Sequence, residues 1–271
     1  MDYNSNKLMF HYESMICPPK IISYDIEKQC QELLKETDIP GPFDPSLYEM
    51  KRIYAKIDPE HQAKAPFDTP VSTSVPISLL YRKDMFKGDG TNPAFLYGYG
   101  SYGISIDPEW KASRFSLVDR GFVYAIAHIR GGGDSGRAWY ECGKFKNKKS
   151  TFIDFISSAK TLISQNYTNS KALAIEGRSA GGLLIGSVLN MQPELFSVAI
   201  AGVPFVDVIN TMMDPTIPLT INEYEEWGNP NEKDYFDYLQ SYSPYDNIPF
   251  EKQVFVHFKS VSRFTCKSRS F

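Results

Sequence analysis

The stretch Ala172-Leu-Ala-Ile-Glu-Gly-Arg-Ser-Ala-Gly-Gly-Leu-Leu-Ile-Gly-Ser-Val-Leu-Asn-Met191 decides the fold. Ala172–Ile175 is a short apolar run of strand type, and Ala180–Met191 reads as a helix. Between them Gly177-Arg178-Ser179-Ala180-Gly181 is a Gly-x-Ser-x-Gly, the sequence form of a nucleophile elbow. Such a turn holds the serine in a strained backbone conformation, so positions two residues to either side must be glycine-sized. The Ser179 hydroxyl is then presented at the carboxyl end of a sheet. The Ala180 N–H falls at a helix N-terminus, where unpaired donors and the dipole favour a developing oxyanion. The competing reading of the same residues is a glycine-rich phosphate or packing turn.

Working outward, strand and helix patterns alternate. Lys51–Ile57, Pro76–Tyr81, Pro93–Tyr97, Phe122–Ile129 and Val198–Val203 read as strands, with His61–Ser74 as a loop. Asp107–Arg120 has helical spacing. Thr151–Ser164 is amphipathic, with Phe152, Phe155, Ile156, Ala159 and Ile163 on one stripe. Near-continuous apolar strands between helices predict an α/β fold with a mostly parallel sheet covered on both faces. The first 45 residues differ. Leu8–Glu13, Lys20–Ile26 and Gln31–Lys35 are short candidate strands, broken by Cys17-Pro-Pro19 and stopped by Ile39-Pro-Gly-Pro-Phe-Asp-Pro45. They suggest a small antiparallel unit, too small to bury a core alone: a remnant of, or attachment to, something larger.

Composition excludes several classes. With 42% apolar and 23% charged residues the chain is neither disordered nor fibrous. Its 29 basic against 32 acidic side chains, net −3, argue against a nucleic-acid partner. No run of 18 uncharged apolar residues suits a membrane span, and no secretory signal opens the sequence, so a cytoplasmic protein with no membrane partner is expected. Cys17, Cys30, Cys142 and Cys266 show no metal-ligand spacing and read as reduced thiols. No metal or cofactor motif is present.

A nucleophilic serine needs a base. Of His11, His61, His128 and His257, only His257 follows Ser179, the order this fold uses, and it sits in the strand-like run Val254–Phe258. After Glu251 there is no Asp or Glu, so a triad is incomplete from the residues alone. Tyr97-Gly-Tyr-Gly-Ser-Tyr-Gly103 follows a strand and reads either as a turn with packed tyrosines or as a loop presenting Tyr99 as an oxyanion donor. Arg130-Gly-Gly-Gly-Asp-Ser-Gly136 permits close backbone approach but lacks a nucleotide-binding signature. Glu223, Glu225 and Glu226, ending in Trp227-Gly-Asn-Pro230, are either a solvated face or a pocket for a cationic side chain.

These motifs, with Asn190-Met-Gln-Pro-Glu-Leu-Phe196 and Tyr242-Ser-Pro-Tyr-Asp-Asn247, together resemble the prolyl oligopeptidase family of serine peptidases, and within it the oligopeptidase B branch, over residues 5 to 250. The resemblance implies an α/β-hydrolase domain, here 46–271, preceded at 1–45 by the last part of a β-propeller. It implies Ser179 as nucleophile, Tyr99 and the Ala180 N–H as oxyanion donors, and Glu223 and Glu225 as the residues that select Arg or Lys in a short peptide substrate. The departure lies in 254–271. Lys259-Ser-Val-Ser-Arg-Phe-Thr-Cys-Lys-Ser-Arg-Ser-Phe271 resembles nothing in the family, where a Gly-x-x-Asp turn and a later histidine would stand. The expectation is a chain truncated or shifted in frame, without the triad Asp and His and inactive alone. The alternatives are a non-catalytic α/β-hydrolase fragment or pseudoenzyme acting as a binding module, or an esterase on the same fold.

Overall fold

The computed structural model describes residues 5–61 and 71–249, and the backbone of 257–259. Three strands come first: β1 (Lys7–Ser14), β2 (Cys17–Asp25) and β3 (Cys30–Glu36), antiparallel neighbours in a sheet of their own. Cross-strand pairs Leu8–Tyr24, Phe10–Ile22 and Ile22–Leu33 put an apolar row on one face, and Leu8 and Leu33 on it are exposed. The sheet is anchored at its first turn. Met15 is fully buried among Tyr48, Phe115 and Val118, and Glu13 accepts the Trp110 N–H at 2.9 Å.

The second sheet is built from β4 (Tyr48–Lys56), β5 (Ser74–Arg82), β6 (Ala94–Tyr97), β7 (Val123–Ala127), β8 (Leu173–Arg178), β9 (Val198–Gly202) and β10 (His257–Lys259). Their spatial order is β10-β9-β8-β6-β7-β5-β4. β4 and β5 run antiparallel at one side, and the pairs from β7 to β10 are parallel. Helix α1 (Ala112–Val118) carries the chain from β6 to β7. Helix α3 (Lys149–Ser164), preceded by the short α2 (Arg137–Glu141), carries it back across β6 to β8. The order of strands therefore reverses at β6/β8. In open α/β sheets the crevice beyond the carboxyl ends at such a point is where ligands bind. Tyr97 is in register with Glu176, so the segments that follow β6 and β8 leave the sheet side by side.

Both faces are covered, as parallel strands require. Phe152, Phe155, Ala159 and Leu162 of α3 and Leu183, Leu184 and Val188 of α4 (Ala180–Met191) are buried on one face against Ile77, Leu79, Leu96 and Ile175. Phe115 and Val118 of α1 lie on the other, with Leu80, Phe95, Tyr124 and Ile126. Phe152 and Phe155 are wholly buried, and truncating either to alanine would cost roughly 3–5 kcal/mol. No helix among the described residues is long and apolar enough to cross a membrane.

The helix expected over Asp107–Arg120 is only Ala112–Val118. Pro108 disfavours helical geometry in the residue before it, and Trp110 packs edge-on against Phe43 instead of continuing a helix. Besides α2, three further helices had no counterpart in the periodicity: α5 (Val208–Met213), α6 (Thr220–Trp227) and α7 (Lys233–Gln240). Each is at most eight residues long, too short to show a stripe. Of the strand expected over Val254–Phe258, only His257 and Phe258 lie among the described residues. β10 pairs there in parallel with Ile200–Gly202.

Candidate active site

Ser179 is the one residue between β8 and α4, with φ +57° and ψ −116°. An L-residue held there stores on the order of 1–3 kcal/mol of backbone strain, which the surroundings must fix in place. They do so from both sides. The Ser179 N–H donates to Gly202 O of β9 (2.9 Å), and its carbonyl accepts from Gly182 N (2.8 Å) and Phe205 N (3.2 Å). The glycines are required by space: a Cβ on Gly177 would overlap the Gly181 carbonyl oxygen, and one on Gly182 would lie 2.5 Å from Pro204 Cα. Ser179 itself is exposed at the carboxyl edge of the sheet. Ala180 is the first helical residue, so its N–H is one of the donors an α-helix leaves without an internal acceptor.

The turn after β6 lies against this elbow. A Cβ on Gly181 would meet Gly98 O at 3.0 Å and Tyr99 Cδ2 at 3.4 Å, so Tyr99 packs on the first turn of α4. Tyr99 is half-buried, and burial raises its pKa, which keeps the hydroxyl protonated. Gly100, Tyr102 and Gly103 all have positive φ, which sharpens the turn. The Tyr102 ring stands 6.3 Å from that of Tyr99, and its hydroxyl donates to Glu223 Oε2 at 2.8 Å. The same oxygen accepts Trp227 Nε1–H at 2.9 Å.

Ser179, Ala180, Tyr99 and Glu223 are thus brought into one neighbourhood. A second route joins the same residues: Phe205, hydrogen-bonded to the Ser179 carbonyl, stacks obliquely on Trp227 at 5.4 Å. Glu225 is different. Two residues on, it lies about 200° round the helix from Glu223 and is exposed. The helical neighbour of Glu223 is Glu226, which is buried. Glu226 accepts the Tyr102 N–H (2.9 Å) and the Tyr140 hydroxyl (2.7 Å). Sequence reading took Glu226 as one of a cluster without separating it; a helical i, i+3 count from Glu223 would have singled it out.

Lys148 was missed altogether, because it stands in a lysine-rich run that reads as solvated surface. It is 1% exposed, donates to Gly100 O (2.6 Å) and Ser101 Oγ (2.7 Å), and lies 4.9 Å from the Trp227 ring centre. Burial lowers its pKa to about 8, against the raising influence of Glu226.

The described histidine side chains are engaged elsewhere. His11 stands beside Glu13 and His61 beside Glu60. His128 sits in a chain that imitates a triad and is buried at its centre: Arg52 Nη2 donates to Ser78 Oγ (3.0 Å), Ser78 bonds His128 Nε2 (2.8 Å), and His128 Nδ1 bonds Asp134 Oδ1 (2.7 Å). Ser78 and His128 are each 3% exposed, so no substrate reaches them. A cavity of about 420 Å³ lined by Tyr97, Arg114, Tyr124 and Glu176 lies on the α1 face and takes no residue from the elbow.

A sequence profile of the prolyl oligopeptidase family matches residues 108–258, the span holding the elbow and α6. Dipeptidyl aminopeptidase BI of Pseudoxanthomonas mexicana is 47% identical over 241 residues, which cover 89% of this chain and 32% of that protein. Among solved structures, oligopeptidase B from Trypanosoma brucei with covalently bound antipain, in its closed form, is 48% identical with a TM-score of 0.80 over 95% of this chain and 34% of that one. Oligopeptidase B from Leishmania major is 44% identical with a TM-score of 0.82, over the same 95% and 34%. The chain spans about a third of the length of these relatives. With the elbow and the acidic helix α6 inside the matched span, which is more than half of the chain, it belongs to the prolyl oligopeptidase family, a family of serine peptidases.

Proposed function

We propose that this chain carries the nucleophile, the oxyanion donors and the primary specificity pocket of an oligopeptidase that cleaves short peptides after Arg or Lys. The observation that carries the reading is the continuous path from Ser179 through Tyr99 and Tyr102 to Glu223. Ser179 attacks the scissile carbonyl while a base takes its proton. The negative oxygen that results is met by the Ala180 N–H and the Tyr99 hydroxyl. Tyr102 and Trp227 both hold Glu223 through Oε2, which leaves Oε1 for the guanidinium or ammonium group of the residue before the scissile bond. Glu225, on the exposed side of α6, adds negative potential at the rim. A proline slot has no use for these carboxylates.

The sheet of β1–β3 fits the end of a β-propeller, with the hydrolase domain from residue 46. Its support is a separate antiparallel pairing with an exposed apolar row. His257, in a strand-like run, is the sole histidine after Ser179 and no Asp or Glu follows Glu251, so these residues lack the acid-then-histidine order of the triad and are a poor catalyst alone, down by about 10⁴ to 10⁶ in rate.

Two measurements test this. N-acetyl-arginine amide should bind the full chain in preference to the norleucine amide, and Glu223→Gln should weaken that binding about tenfold or more. Equal binding of the two amides would end the specificity reading. A fluorophosphonate should label Ser179 only slowly; labelling at the rate of an intact serine hydrolase would defeat the claim of inactivity. No labelling, with no arginine preference, would favour a non-catalytic fragment.

A further inference from the structure

We propose that Lys148 and Glu226 are positioning residues of this site: they grip the Tyr97–Gly103 turn from two sides and thereby fix the Tyr99 hydroxyl relative to Ser179. The proposal rests on the roles given above to Ser179 and Tyr99 and adds what holds them in place. The turn needs such a device. Three of its seven residues have positive φ, one of them the non-glycine Tyr102 at +61°, so its backbone alone does not favour this shape. Lys148, at the N-terminal end of α3, donates to the Gly100 carbonyl and the Ser101 hydroxyl, and Ser101 is 0% exposed. Glu226, from α6, takes the next N–H, that of Tyr102.

Neither grip is shared with solvent. Both side chains are buried, and among the described residues no carboxylate lies within ion-pair distance of Lys148. A buried ammonium with no salt bridge, on which Glu226 acts only from beyond ion-pair distance, is a costly choice for packing alone. Here its charge is spent on a carbonyl, a hydroxyl and the face of Trp227, all of which adjoin the candidate catalytic turn. Glu226 is held in turn by Tyr140 of α2. One turn is therefore tied to three helices, α2, α3 and α6, while the elbow it must face is tied to β9 through Gly202.

The test uses the full chain as wild type, Lys148→Met, Glu226→Gln and Ser101→Ala. Hydrogen exchange is read at the amides of 100–103 and at those of β8 and α4, and fluorophosphonate kinetics at Ser179 are split into the limiting rate and the half-saturating concentration. The expected result is exchange about tenfold or more faster in the turn and within about twofold elsewhere, with a lower limiting rate and an unchanged half-saturation. A general packing defect would instead move β8 and α4 as well. Unchanged turn exchange in Glu226→Gln and Ser101→Ala overturns the proposal even if Lys148→Met fails to fold. Faster turn exchange with an unchanged limiting rate also overturns it. If Ser179 reacts in no variant, wild type included, the failure belongs to the nucleophile assignment, and faster turn exchange still supports the clamp.

Discussion

Gly177 and Gly181 face each other across the elbow so closely that a Cβ on Gly177 would overlap the carbonyl oxygen of Gly181. The oxygen belongs to backbone at the start of α4 and has nowhere to move, since Gly181 is itself 3.0 Å (by its own added Cβ) from Gly98 O. Gly177→Ala is therefore expected to cost about 3 kcal/mol or more, at the upper end of overpacking penalties. Chemical denaturation of the full chain checks this; a midpoint equal to that of wild type would show that the elbow is looser than described.

This steric demand is also why the fold was legible. Glycine at 177 and 181 around Ser179, after a strand and before a helix, is a local pattern with a local cause, and so is the apolar stripe of α3. The acidic network was legible only in part. Glu223 stood out by charge, but its partner Tyr102 is 121 residues away in sequence, and no spacing rule connects them. Lys148 was invisible for the same reason: its buried acceptors, Gly100 O and Ser101 Oγ, are 48 and 47 residues away. Short helices such as α6 escaped because their position comes from tertiary contacts, with Thr220 and Trp227 buried at either end.

Arg130 and Asp154 make a two-pronged ion pair, at 2.8 and 2.6 Å, that is 1% and 0% exposed. Asp154 also accepts the Arg130 N–H at 2.9 Å, which ties the glycine loop after β7 to α3. Asp154→Ala strands a buried guanidinium and should destabilise the chain by about 3–5 kcal/mol. The measurement is the change in unfolding free energy in urea. A loss below about 1 kcal/mol would mean that water reaches Arg130.

Lys148 gives stability a definite pH dependence. Its folded pKa, about 8, lies below the ordinary 10.5, so between these values the unfolded chain binds a proton that the folded chain has released. The contribution is present above 10.5 and is lost as pH falls through 8. Tyr102 and Tyr140 act oppositely above pH 10, because burial and their glutamate partners raise them. From pH 8 to 10 the wild type should gain on the order of 2 to 3 kcal/mol relative to Lys148→Met. Parallel stability curves for the two proteins would show that Lys148 is solvated.

His128 offers a test of hydrogen-bond direction. Arg52 has only donors, so Ser78 Oγ accepts from it, and the Ser78 hydroxyl proton is then available to His128 Nε2. With that proton directed at Nε2, Nε2 accepts and Nδ1–H donates to Asp134, whose Oδ1 also takes the Ile106 N–H at 3.0 Å. The expected form is the Nδ1–H tautomer, which nitrogen-15 correlation spectra distinguish from Nε2–H. Ser78→Ala should leave Nε2 buried without a donor and cost about 1–3 kcal/mol, while the Nδ1–H signature persists because Asp134 still holds it. Reactivity at Ser179 should be untouched by Ser78→Ala, since Ser78 and His128 are each 3% exposed and their side chains bond, among the described residues, only to each other, Arg52 and Asp134. A slower fluorophosphonate reaction in that variant would instead connect the buried serine to the exposed one.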